Sequence, residues 1–316
     1  MANRSLLEDM TTSKIVLELI EAFRRSKTMF VATSLGIFDG KRPEGYKELT
    51  RLLDACVALG LLERREGGEY VNTPESDRFL RSESPDTLSG YVLYSNSALY
   101  PMWANLEDAV REGAPRWKQT FGLDGPIFSA FFRTDEAMRE FLKGMHGFGQ
   151  LGSPAVVAAF DLSRFHSFVD LGGASGHLAA AARERYPHLQ TTVFDLPAVK
   201  KLYPDVVAGD FFNDPLPPSD LYALSRILHD WSDAKCLVLL RKIYEVLPSG
   251  GGLLVAEKLL DTYNVPAHMQ SLNMLICTEG RERTADEFAA LLKEAGFTSV
   301  ESRRTGTLLD ATLAVK

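Results

Sequence analysis

The residues best suited to moving a proton in this 316-residue chain are His229, in Ser225-Arg-Ile-Leu-His-Asp-Trp231, and two glutamates, Glu257 and Glu282. A neutral imidazole is available near pH 7 and can take a proton from an attacking hydroxyl. Glu257 closes the apolar run from Gly252 to Ala256, and Glu282 lies in Glu279-Gly-Arg-Glu-Arg-Thr284. Carboxylates placed this way can converge on His229, one fixing its tautomer and the other stabilising the imidazolium formed on proton transfer. Thr284 and Glu287 have the spacing of a helix capping box before Phe288, Leu291 and Leu292, which accounts for those two residues but not for Glu282.

A second chemistry is written in Phe168-Val-Asp-Leu-Gly-Gly-Ala-Ser-Gly-His177, where an apolar run meets Gly172, Gly173 and Gly176 before a helical stretch. Such glycines allow a tight turn and close approach of backbone to a ligand. Asp195 ends the next apolar run, at a distance suited to holding ribose hydroxyls. The pattern is GGxxG, and Asp170 at the strand end would repel a pyrophosphate but attract a cation. That favours an adenosine carrying an amino acid and a sulfonium, S-adenosylmethionine, over a dinucleotide. In Gly209-Asp-Phe-Phe212, Asp210 can accept the adenine amino group while Phe211 packs on the ring; the alternative is an aspartate turn with two core phenylalanines. Asn273, in an apolar stretch, can orient a substrate or satisfy a buried backbone group, and Cys277, one helical turn on, can line the same pocket.

These groups need elements to hold them. Seven short apolar segments, Ser167 to Leu171, Thr191 to Phe194, Val206 to Ala208, Leu221 to Leu224, Gly252 to Ala256, Thr298 to Arg303 and Leu308 to Val315, alternate with helical stretches. They predict an α/β unit with a mainly parallel seven-stranded sheet covered on both faces. Upstream, apolar positions from Ile15 to Phe30 recur at helical spacing and predict a face that must be covered. A second helix over about 47–59 and a hairpin turning at Gly67 and Gly68 complete a winged-helix-like unit. Residues 41–70 hold six basic and six acidic side chains, so this unit is read as a dimerisation domain and not as a nucleic-acid binder. Residues 88–150 are rich in aromatics, most of them core, some able to roof a small-molecule pocket. The expected organisation is 1–88, winged-helix-like dimerisation domain; 89–160, helical linker and roof; 161–316, catalytic domain.

Composition agrees. With 45% hydrophobic and 24% charged residues a large core is expected, and the net charge of -7 disfavours generic binding to a phosphate backbone. Three cysteines without a CxxC pair predict neither a disulfide framework nor a thiolate metal cage, and fit a cytoplasmic protein. No apolar run approaches the length of a membrane span, and no dense His/Asp/Glu cluster advertises a metal.

Taken together, DLGGASG, TVFDLP, GDFFNDPLP, RILHDWSD, LLVAEKLLD and SLNM through EGRERT resemble the small-molecule O-methyltransferases of the acetylserotonin and plant caffeate type. LLDACVALGLLER, DAVREG and FDLSRF carry the likeness over nearly the whole chain. The resemblance implies a class I methyltransferase (Rossmann-like) domain behind an interdigitating dimerisation domain. It also implies S-adenosylmethionine as donor, S-adenosylhomocysteine as product, no metal, and a homodimer acting on a small-molecule hydroxyl. Gly172, Asp195, Asp210 and Phe211 match family cofactor contacts. His229 matches the general base, flanked by Asp230, and Glu257 and Glu282 match the pair that positions it. Asn273 matches a contact to the substrate's amide side.

Three departures stand out. Ser225 occupies the place of a cofactor-contacting lysine of plant members, beside an Arg226 ordinary in the animal-like branch. Cys277 replaces a substrate-binding glutamine, which argues against N-acetylserotonin as acceptor. The connections at 38–47 and 195–210 are brief. A phenol or enol is the expected acceptor; the alternatives are a relative acting on nitrogen or on a polyketide-like substrate, or a silent dimeric binder.

Overall fold

The structure is a computed structural model that describes residues 14–316. The chain forms two compact units, one ending at Ser97 and one spanning Ala98–Lys316. The two units meet within the stretch 89–160 expected as a linker and roof, and most of that aromatic stretch is built into the second unit.

In the first unit, helix α1 (Lys14–Ser34) is followed by a turn of 3-10 helix, α2 (Leu49–Ala58), and an antiparallel hairpin of β1 (Leu62–Arg64) and β2 (Tyr70–Asn72). The hairpin turns at Gly67 and Gly68, both at positive φ, which side-chain-bearing residues rarely adopt. Ala32, Ile37, Phe38, Leu53, Cys56 and Leu62 form its core. Only the C-terminal part of α1 reaches that core. Ile15, Val16, Leu19, Ile20 and Phe23 are each more than half exposed, so the face that spacing said must be covered is left open by the described residues of this chain. The brief 38–47 connection leaves an apolar groove of about 540 Å³ between the two helices, lined by Val31, Leu35, Tyr46, Leu49 and Leu52.

The second unit contains a seven-stranded sheet of β3 (Ser167–Leu171), β4 (Gln190–Asp195), β5 (Val207–Ala208), β6 (Leu221–Ser225), β7 (Gly252–Glu257), β8 (Ser299–Arg303) and β9 (Asp310–Val315). Their order across the sheet is β5-β4-β3-β6-β7-β9-β8. Every pair from β5 to β7 is parallel, and β9 runs antiparallel to both its neighbours. The unbroken apolar runs of β6 and β7 are those of strands covered on both faces. Helices α3 (Asp135–Ala158) and α4 (His177–Arg185) cover one face, through Val156, Val157, Leu178 and Ala182. The other is covered by α5 (Asp233–Val246) and, after α6 (Val265–Cys277), by α7 (Ala285–Glu294), whose capping box is present as its sequence predicts.

Strand order reverses between β3 and β6, and at such a switch point the carboxyl ends of neighbouring strands open a crevice. Asp170, Asp195, Ser225 and Glu257 all sit at those ends. The short 195–210 connection holds one helical turn, Pro197–Lys200, with Val199 packed against Met138 and Leu142 of α3, and leads into the two-residue edge strand β5. Among the described residues, no helix is long and apolar enough to cross a membrane.

Candidate active site

His229 lies in a 3-10 turn, Leu228–Asp230, directly after β6. Glu257, at the end of the adjacent β7, holds that turn from behind: its Oε1 accepts from the backbone N–H of Ile227 at 3.0 Å, Leu228 at 2.9 Å and His229 at 3.3 Å. Arg226, at φ +57°, supplies the kink that brings three successive amides onto one oxygen. The imidazole Nδ1 lies 2.7 Å from Glu282 Oε1 and 3.3 Å from Glu257 Oε2. A carboxylate only accepts, so Nδ1 carries the proton and Nε2 keeps the lone pair of the neutral ring. Nε2 lies 3.8 Å from Asp230 Oδ1, beyond hydrogen-bond reach.

Burial alone would depress the His229 pKa, but Glu257, Glu282 and Asp230 together outweigh it and push it up to about 9. Burial and the Glu282 charge in turn raise Glu257, against the pull of His229. Ligand atoms of His229, Glu257 and Glu282 fall within 4.8 Å of one another, the convergence that the sequence led us to expect, in a cluster tighter than the spacing of these residues along the chain suggests. The 2.7 Å contact has the length of a charge-assisted hydrogen bond.

The glycine loop after β3 is pinned by Asp195. Its Oδ2 accepts from the N–H of Ala174 at 2.8 Å and its Oδ1 from Leu196 at 2.7 Å. Gly172, at φ +70°, has no room for a side chain: a Cβ there would lie 2.5 Å from Ile227 Cδ1. Gly173 covers the carboxyl of Asp170, which a Cβ would meet at 2.5 Å. Asp170 is fully buried, with Oδ2 3.3 Å from the Ala179 N–H and Oδ1 without a partner. Ser225 Oγ and Arg226 Nη1 are likewise buried, and none of these three atoms has a hydrogen-bond partner among the described residues. Orphaned acceptors and donors around a glycine cradle fit a ligand that carries both amino and carboxylate groups beside a nucleoside.

Burial raises the Asp170 pKa to about 7, the Ala179 N–H opposing and Asp195 adding to the shift. An acid whose folded pKa lies above its unfolded value makes the fold less stable as pH rises between the two, here from about 4 to about 7. Asp170→Asn is therefore expected to raise the melting temperature of the ligand-free protein at pH 7.5. It should weaken S-adenosylmethionine binding by about tenfold or more, the size of one charge-assisted hydrogen bond. Melting curves and calorimetric titration check both signs; an unchanged affinity would remove Asp170 from the cofactor site.

Asp210 makes the local turn weighed as its alternative role: Oδ1 accepts from Phe212 N and Oδ2 from Asn213 Nδ2. Each oxygen keeps a second lone pair, so the turn aims the carboxylate without exhausting it. Lys242 fixes the same loop by donating to the carbonyls of Phe211, Phe212 and Asp214.

On α6, the Trp103 indole donates to Asn273 Oδ1 at 2.9 Å. An indole N–H only donates, which turns the Asn273 amide so that Nδ2, its donor, points elsewhere. The Cys277 side chain is buried, and its carbonyl accepts from Trp117 Nε1 at 2.8 Å. From Trp117 an aromatic series runs through Phe131 and Phe128 to Trp231, next to Asp230, and on through Phe212 to Phe211. It joins the Cys277 end of α6 to the loop carrying Asp210 with flat, rigid surface.

Residues 103–298 match the O-methyltransferase domain family. The chain belongs to that family. Over 98% of its length it is 40% identical to the acetylserotonin O-methyltransferase of Gallus gallus, covering 99% of that protein. The alignment runs over 342 positions, more than this chain has residues, so the relative carries segments that this O-methyltransferase lacks. A probable bifunctional dTTP/UTP pyrophosphatase/methyltransferase protein of Homo sapiens is 39% identical over 95% of the chain, which covers 53% of that longer protein. The solved structure of human N-acetylserotonin methyltransferase in complex with SAM superposes with a TM-score of 0.91 at 36% identity, covering 96% of this chain and 97% of that one.

Several residues that shape this O-methyltransferase site had no distinguishing signal in the sequence. Trp103 lies 170 residues from its partner Asn273. His177 packs its ring where Gly149 has no side chain, a Cβ there falling 2.2 Å from His177 Nε2, and its Nδ1 meets Ser153 Oγ at 2.8 Å. Gly280 lies directly on the backbone of His229, Asp230 and Trp231.

Proposed function

We propose that the protein transfers the methyl group of S-adenosylmethionine to the hydroxyl oxygen of a small aromatic acceptor, with His229 as general base. Family membership supports the reaction, and the observation that carries the base assignment is the division of labour on the imidazole. One nitrogen is committed to Glu282, and the other has no hydrogen-bond partner among the described residues, at the switch-point edge of the sheet.

When bound, S-adenosylmethionine supplies a methyl carbon already activated by its sulfonium. His229 Nε2 takes the acceptor's hydroxyl proton as the oxygen attacks, and Glu257 and Glu282 hold the resulting imidazolium. A phenol or enol lies within reach of such a base, whereas an aliphatic alcohol is far less acidic. Asp195 and Asp210 are assigned to the ribose and adenine, Asp170, Gly172, Gly173, Ser225 and Arg226 to the amino-acid end, and Phe211 to the ring. Asn273, with its donor turned away from Trp103, is assigned to an accepting oxygen of the acceptor, and Cys277 to the pocket wall. Most of the rate enhancement comes from alignment of oxygen, methyl and sulfur.

The test is incubation with methyl-labelled cofactor and matched phenols and anilines, with the labelled atom located by NMR. Label on oxygen is expected. Label on nitrogen alone would replace this reading with N-methylation.

A homodimer is proposed through the uncovered face of α1, which continues past Phe23 to the groove at Val31 and Leu35. Along α1 the acids Glu18 and Glu21 precede Arg24 and Arg25, so an antiparallel copy sets opposite charges against each other. The double substitution Ile20→Asp, Phe23→Asp is expected to give a particle of half the mass by light scattering; an unchanged mass would place the interface elsewhere. A cytoplasmic setting is supported by three cysteines, Cys56, Cys236 and Cys277, all buried and none in a disulfide among the described residues. In the hairpin Arg64 faces Asp54 and Arg65 faces Glu69, which supports a unit that does not bind nucleic acid.

A further inference from the structure

We propose that Arg283 is the positioning residue that holds His229 in its working orientation, by gripping the carbonyls on either side of it with one guanidinium. Arg283 is fully buried, which for a charged side chain demands complete pairing. Its Nη1 donates to the Leu228 carbonyl at 2.8 Å and its Nη2 to the Trp231 carbonyl at 2.9 Å, so the turn bearing His229 and Asp230 is held at both ends. Its charge is met by Asp233, with Nε at 2.9 Å and Nη2 at 2.7 Å from Oδ1. Arg281 approaches the other oxygen of Asp233 at 3.4 Å.

The neighbouring residue, Glu282, makes the 2.7 Å bond to His229 Nδ1. One dipeptide therefore fixes both the ring and the backbone that carries it. A planar fork can reach two carbonyls and a carboxylate together; an ammonium cannot, although it carries the same charge. This inference rests on His229 being the base.

The test is Arg283→Lys, which keeps the charge and loses the fork. In single-turnover assays kcat is expected to fall by about tenfold or more, as for a base displaced by a fraction of an ångström. Cofactor Kd and acceptor KM should stay within about threefold, as expected when substrate-contacting groups are untouched. The pH profile separates positioning from simple support. The charged groups facing His229 are Glu257 from β7, Glu282 from the segment after α6 and Asp230 from its own turn, and they hold its pKa up. A turn that drifts from Glu257 and Glu282 moves the limb of the profile toward ordinary imidazole, by about half a unit or more. Loss of a positive charge alone would move it the other way.

An unchanged kcat and limb, with only a lower melting temperature, would overturn the proposal. Should the lysine variant fail to fold, Asp233→Asn loosens the fork from a side chain that is 51% exposed, and the same two readouts apply with smaller changes expected. His229→Gln is run in parallel. Full activity there would overturn the base reading itself, whereas an inactive His229→Gln beside a normal Arg283→Lys would overturn only the clamp.

Discussion

Replacing His229 with glutamine is expected to lower single-turnover methyl transfer by about 10²- to 10⁴-fold, the range that a positioned general base contributes. Glutamine keeps a donor for Glu282 and offers no basic nitrogen, so cofactor affinity should change little. The wild-type pH profile gives an independent reading. His229 works as its neutral form, and the surrounding carboxylates raise its pKa to about 9, so the imidazolium dominates at neutral pH and the base appears as pH rises through that value. The rate should climb about tenfold per pH unit from 7 until it levels near 9, as for a single titrating base. In the glutamine variant that limb should vanish. A variant within tenfold of wild type would reject His229 as the base, whereas a flat wild-type profile between pH 7 and 9 in single turnovers would show that the carboxylates do not hold its pKa up.

The second large effect is expected from the smallest possible change, Gly280→Ala. A Cβ at this position would lie 2.2 Å from the His229 carbonyl oxygen, 2.6 Å from Trp231 N and 2.7 Å from the Asp230 carbonyl carbon. All three are backbone atoms of a turn tied to Glu257, so no side-chain rotation can make room. Either the 279–282 segment or the turn must move, and both routes pull His229 away from Glu282. We expect a loss of about a hundredfold in kcat, the scale of an ångström-sized misplacement, together with a lower melting temperature. Turnover within about threefold of wild type would show that the turn tolerates displacement and that its packing is not functionally strict.

The architecture was legible where it depends on local pattern. The seven apolar runs became the seven strands, because a strand covered on both faces must be apolar throughout, and Glu257 ends β7 where its run ends. The antiparallel course of β9 was not legible, since direction leaves no mark on an apolar run. The α1 spacing showed which face is apolar but not what covers it; Ile15, Val16, Leu19, Ile20 and Phe23 are left exposed by the described residues. The convergence of Glu282 on His229, expected from the sequence, spans 53 residues, whereas the Trp103 bond to Asn273 joins two helices 170 residues apart and left no local mark. Arg283 sits in a segment that looks like a charged surface loop, and only the fold reveals it as wholly buried. Asp210 retained both of its readings, because one carboxylate can close a turn and still present lone pairs.

The two borders of the large sheet bear on how the protein behaves when concentrated. β5 has only two residues, and β8 turns Ser299, Glu301 and Arg303 outward. A foreign strand would find too few free amides to dock on at one margin and a rim of polar and charged side chains at the other. Samples that lose solubility should therefore do so where the apolar face of α1 is not covered by a second copy, as amorphous clumps reversed by mild detergent, and not as fibrils that bind amyloid dyes.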